Sequence, residues 1–121
     1  MGINISKITS TILIEVLVQF QNASGTATEG SYKGEFRRPS QEELDYLLDP
    51  ENEVRNAETM EKFLIEVRGI GEQKDGGGID ELPSDQQRAW VMGSPECVNA
   101  GAAAFLRAFR PVRYEGKTLK R

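Results

Sequence analysis

From residue 12 to residue 20 every even-numbered position is apolar (Ile12, Ile14, Val16, Val18, Phe20), and four of the five side chains are β-branched. A period of two in β-branched residues specifies a strand with one buried face, because a helix would scatter the same set around its circumference. The odd side is mixed, with Leu13, Glu15, Leu17 and Gln19, which predicts a second face that is partly covered. Alternation returns after Glu29, with Tyr32, Gly34 and Phe36 on one side and Ser31, Lys33, Glu35 and Arg37 on the other. Residues 22–28 (NASGTAT) form a loop by composition, with Gly25 supplying the permissive backbone. The two runs predict an antiparallel hairpin. A hairpin alone is marginal in water, so its apolar face must lie on helices.

The rest of the chain supplies those helices. Ser40-Gln41-Glu42-Glu43 has the pattern in which a serine caps free backbone N–H groups and a glutamate three residues on returns the bond. Leu44, Leu47 and Leu48 continue it as an apolar stripe, and Asp49-Pro50 ends it. A second helix is predicted over residues 54–68, from Ala57, Met60, Phe63, Leu64 and Val67 at spacings of three and four. Gly69 and Gly71 stop it, and residues 72–80 (EQKDGGGID) read as a flexible polar loop. Pro83-Ser84 starts a third, short helix, with Gln87 at the reciprocal capping position. Ser94-Pro95 starts a fourth that runs to Phe109, rich in small residues, and Pro111 ends it. The predicted fold is α+β: an N-terminal antiparallel hairpin packed on about four short helices. Residues 1–111 are expected to form one domain, followed by a flexible basic tail over residues 112–121.

A chain of 121 residues suffices for one core. No apolar run approaches the roughly 20 residues that span a bilayer, and the first residues make a poor signal peptide, with Lys7 as the one early positive charge. A single cysteine, Cys97, has no partner within the chain for a disulfide. These features predict a cytoplasmic location without membrane attachment. The net charge of −4 is unevenly placed: residues 1–106 carry 9 basic and 18 acidic side chains, and residues 107–121 carry 6 basic and one acidic. An acidic body repels phosphate backbones, so nucleic acid is not expected as a partner, and the basic end fits solvent or an acidic protein surface.

The usual catalytic chemistry is missing from the sequence. There is no histidine, hence no imidazole base or metal ligand, and Cys97 has none to activate it. A small packed core residue is the expected role of Cys97. The glycines at 69, 71, 76, 77 and 78 miss the phosphate-loop spacings, and their neighbours Glu72, Asp75, Asp80 and Glu81 would repel a phosphate. The same acids lack the ligand alternation of a calcium loop. Neither enzyme activity, cofactor nor metal is expected. Trp90, Phe105 and Phe109, with Arg110 and Arg113 beside the last two, are the candidate protein-binding residues, although aromatics in so small a domain are mostly needed inside.

The order of motifs carries a resemblance. An F-R-R-P-S-Q-E-E-L helix start (residues 36–44) precedes F-L-x-E-V (residues 63–67) and the pair Gly69-Ile70. An acidic glycine loop, a short P-S-x-x-Q helix and a final helix ending A-F-x-x-A-F (residues 104–109) follow. This resembles the tail assembly chaperones of long-tailed bacteriophages and prophages. The resemblance implies a protein that binds the tape measure protein in the host cytoplasm, keeps it soluble, helps recruit tail-tube subunits and is absent from the mature virion. It also implies, for many members, a longer product made by ribosomal frameshifting. The chain departs from typical members at Arg68-Gly69, where many have a tryptophan, and in its short basic tail. Weak self-association fits a partner long enough to take several copies. The alternatives are a structural tail component, such as a terminator or connector subunit, and a small protein-binding module unrelated to phage.

Overall fold

A computed structural model describes residues 2–110. The chain runs β1 (Thr11–Gln21), β2 (Ala27–Arg37), α1 (Gln41–Leu48), α2 (Asn56–Phe63), β3 (Leu64–Arg68), β4 (Gly71–Gln73), β5 (Ile79–Glu81), α3 (Ser84–Met92) and α4 (Pro95–Phe109). This is the α+β fold expected. The hairpin β1–β2 is antiparallel in an unbroken register from Thr11 opposite Arg37 to Gln21 opposite Ala27. The basic tail over residues 112–121 lies outside the described residues.

The inner face of the hairpin buries Val16, Val18, Tyr32 and Phe36, with Ile12, Ile14 and Phe20 half-buried at its margin. Helices α2, α3 and α4 close that face with Met60, Phe63, Val91, Cys97, Ala102 and Phe105. Burying the valine, methionine and phenylalanine side chains among these stabilises by about 1.5–3 kcal/mol each before the entropy of ordering them is set against it. Three rings form a column through the core: Phe105 stacks on Phe36 at 5.2 Å and on Phe63 at 4.9 Å between centroids. Helix α1 starts as its sequence dictates. Ser40 Oγ accepts from the Glu43 N–H at 3.1 Å, and the Glu43 carboxylate accepts from the Ser40 N–H at 3.0 Å.

Two expectations are corrected. The helix predicted over residues 54–68 ends at Phe63, and Leu64–Arg68 is a strand paired antiparallel with β2, giving a three-stranded sheet in the order β1-β2-β3. The three-residue step from Leu64 to Val67 looks helical because the strand is bulged. Leu64 lies opposite Phe36 and Glu66 opposite Glu35, so Ile65 is an extra residue on β3. One extra residue turns a spacing of three into a same-face pair, and both Leu64 and Val67 point into the core. The polar stretch after Ile70 is not a plain loop either. β4 and β5 form a small antiparallel hairpin around Gly76, Gly77 and Gly78, all at positive φ, where only glycine sits without strain.

Candidate protein-binding surface

Trp90 lies on α3 and is 48% exposed, with its ring edge-on to Phe20 of β1 at 6.3 Å. Between them opens an apolar groove of about 390 Å³, lined by Val18, Phe20, Tyr32, Ile70, Leu82 and Trp90. Ile79, half-exposed, and Glu72 bring the β4–β5 hairpin to its rim. That hairpin segment, residues 71–81, carries Glu72, Asp75, Asp80 and Glu81 against one cation, Lys74. The groove is apolar at its floor, and Glu72 is the one acid among its lining residues.

One buried polar side chain holds the rim in place. Gln87, 2% exposed, accepts from the Ile70 N–H at 2.8 Å and donates to the Leu82 carbonyl at 2.7 Å and to the Glu81 carboxylate at 3.2 Å. Its position in the sequence predicted a helix cap, but the residue before α3 is Pro83 and no side chain caps that helix. The Leu82 N–H donates to the Ile70 carbonyl at 2.9 Å, and the Gln87 amide satisfies the Ile70 N–H and the Leu82 carbonyl that this pair leaves over. Glu81 is also held by Arg68 at 2.9 Å, and the hydrogen bond from that guanidinium, followed by the one from Gln87, keeps its carboxyl below the usual range.

The sequence candidates do not form one surface. Phe105 is fully buried in the aromatic column and is a core residue, which removes it from any docking face. Phe109 is half-buried, edge-on to Phe105 at 5.4 Å, with the Arg38 guanidinium 6.0 Å from its ring. Arg110 is exposed at the end of α4, and Arg113 lies outside the described residues. Cys97 lines the groove at the start of α4, so Phe109 lies about 18 Å farther along the helix axis. Phe109 is absent from the lining of the groove that Trp90 borders. Cys97 is buried, and burial pushes its thiol above the ordinary value, the reverse of an activated nucleophile.

A second apolar surface was not singled out from the sequence. The outer face of the sheet, predicted to be partly covered, is open: Leu13 is 65% exposed and Leu17 75%, with Ile65 of the bulge also exposed. The odd-numbered leucines of β1 were the signal, and nothing in the later sequence offered a helix to cover them. Among the described residues no group of three or more His, Cys, Asp and Glu side chains is placed to hold a metal ion, and no helix is long and apolar enough to cross a membrane. No protein-family model matches the chain, and neither a curated protein nor a solved structure does so.

Proposed function

We propose that the chain is a tail assembly chaperone of a long-tailed bacteriophage or prophage, which binds the tape measure protein and works through its surface rather than through catalysis. The observation that carries this reading is the groove beside Trp90: an apolar floor, a half-exposed tryptophan, and Glu72 of a small hairpin at its rim. An amphipathic helix is recognised by a hydrophobic groove that takes its apolar anchors, while opposite charge at the rim speeds encounter and fixes orientation. A tape measure helix with Lys or Arg flanking its apolar face satisfies both parts. The order of sequence motifs from Phe36 to Phe109 supports the same reading.

In this reading the chain acts in the host cytoplasm, holds the tape measure protein until tail-tube subunits surround it, and is absent from the finished virion. Co-expression tests it. The soluble fraction of the tape measure protein from the same genome should rise severalfold when this chain is co-produced. An unchanged fraction, with both proteins well expressed, overturns the reading.

A further inference from the structure

We propose that the free edge of β1 pairs with the β1 edge of a second copy of this chain, antiparallel about a two-fold axis at Leu17. Among the described residues the sheet order leaves one side of β1 without a neighbouring strand. Which residues face that side follows from the ends of the hairpin. The Ser10 carbonyl accepts from the Arg38 N–H, and the Asn22 N–H donates to the Thr26 carbonyl, both at 2.9 Å. Hydrogen-bonded pairs alternate along an antiparallel ladder, so the even residues of β1 turn their backbone groups to β2. Leu13, Glu15, Leu17, Gln19 and their neighbours at 11 and 21 turn theirs outward. The strand is eleven residues long in unbroken register, and it contains no proline, glycine or lysine that would blunt an edge.

Its side chains choose the partner. Residues directly opposite in an antiparallel pair share a face, so a two-fold axis falls on a residue. An axis at Glu15 sets that carboxylate against its own copy, and an axis at Val16 sets it against Leu17. An axis at Leu17 sets leucine on leucine and places Glu15 opposite Gln19. The Gln19 amide already donates to Glu29 at 3.1 Å, and its second N–H is the donor for the Glu15 carboxylate across the axis. On the inner side the same register sets Ile14 opposite Phe20, two residues left half-buried at the margin of the core. Residues 13–21 then pair over about 30 Å with on the order of ten backbone hydrogen bonds. The product is a six-stranded sheet.

Cysteine scanning of the full chain tests the axis, with native Cys97 left in place because it is buried. Leu17→Cys puts two thiols on the axis, where Cα atoms about 5.5 Å apart allow a disulfide. Under mild oxidation it should cross-link at least tenfold faster than Leu13→Cys or Gln19→Cys. Sedimentation equilibrium should show a dimer for the native chain, weakened at least tenfold by Leu17→Lys, an exposed position whose substitution leaves the circular dichroism unchanged. Equal cross-linking at the three positions, or faster reaction away from Leu17, overturns the proposal. So does a native chain that stays monomeric at roughly 100 μM, which leaves the edge to a strand of another protein.

Discussion

The Tyr32 hydroxyl donates a 3.0 Å hydrogen bond to the Cys97 carbonyl, joining the middle strand of the sheet to the first turn of α4. Burial raises the Tyr32 phenol well above its ordinary value, so the donor keeps its proton throughout the physiological range. The bond is possible because α4 lies very close to the sheet at Gly101. A methyl group there would overlap the Tyr32 hydroxyl and the end of Met60.

Gly101→Ala therefore destabilises the fold, although alanine is the better helix former by up to about 1 kcal/mol. Overpacking a buried contact costs about 1–3 kcal/mol, which exceeds that gain because the Met60 end can move but the Tyr32 hydroxyl is held by its bond to the Cys97 carbonyl. Thermal denaturation should show a fall of several degrees in Tm. An unchanged or higher Tm would mean that α4 does not approach the sheet this closely.

The carboxyl of Glu43 is held from an ordinary 4.5 down to about 2, first by hydrogen bonds from the Arg37 guanidinium and then by the Ser40 N–H. A depressed folded-state value means that ionised Glu43 stabilises fully above about pH 4.5, and that this contribution is lost as pH falls toward 2. The Tm deficit of Glu43→Gln relative to the native chain should be constant near neutrality and shrink below pH 4.5. Parallel melting curves down to pH 2 would contradict the assignment.

Gln87→Leu fits the same volume but leaves the Ile70 N–H and the Leu82 carbonyl without their partner. A buried polar group left unpaired costs about 1–3 kcal/mol. The loss should be local as well as global: amide hydrogen exchange over residues 70–82 should speed up more than in β1 or α4. Uniform acceleration would show that Gln87 supports the whole core rather than the groove rim.

Much of the fold was legible because it rests on local rules. The strand period from Ile12 to Phe20, the Ser40–Glu43 capping box and the Ser94-Pro95 helix start each act within a few residues, and each appears where the sequence puts it. β3 was not legible, because the bulge at Ile65 gives Leu64 and Val67 a helical spacing and the deciding partner, β2, lies about thirty residues away. β4 and β5 escaped because Ile79 is their one large apolar residue. Among the candidate binding residues, spacing could not separate core from surface. Phe105 and Phe109 sit four apart, yet the first stacks between two rings and the second lies at the end of the column. The groove itself joins β1, the turn at Ile70 and α3, a juxtaposition that no local pattern encodes.

Trp90 is the one tryptophan of the chain and stands half-exposed on the groove, so its fluorescence reports on that surface alone. Titrating the chain with the tape measure protein should move the emission to shorter wavelength and lower its quenching by acrylamide, with a saturable curve. Burial of the ring against an apolar anchor requires both changes. Unchanged emission and quenching at saturating tape measure protein would contradict the account.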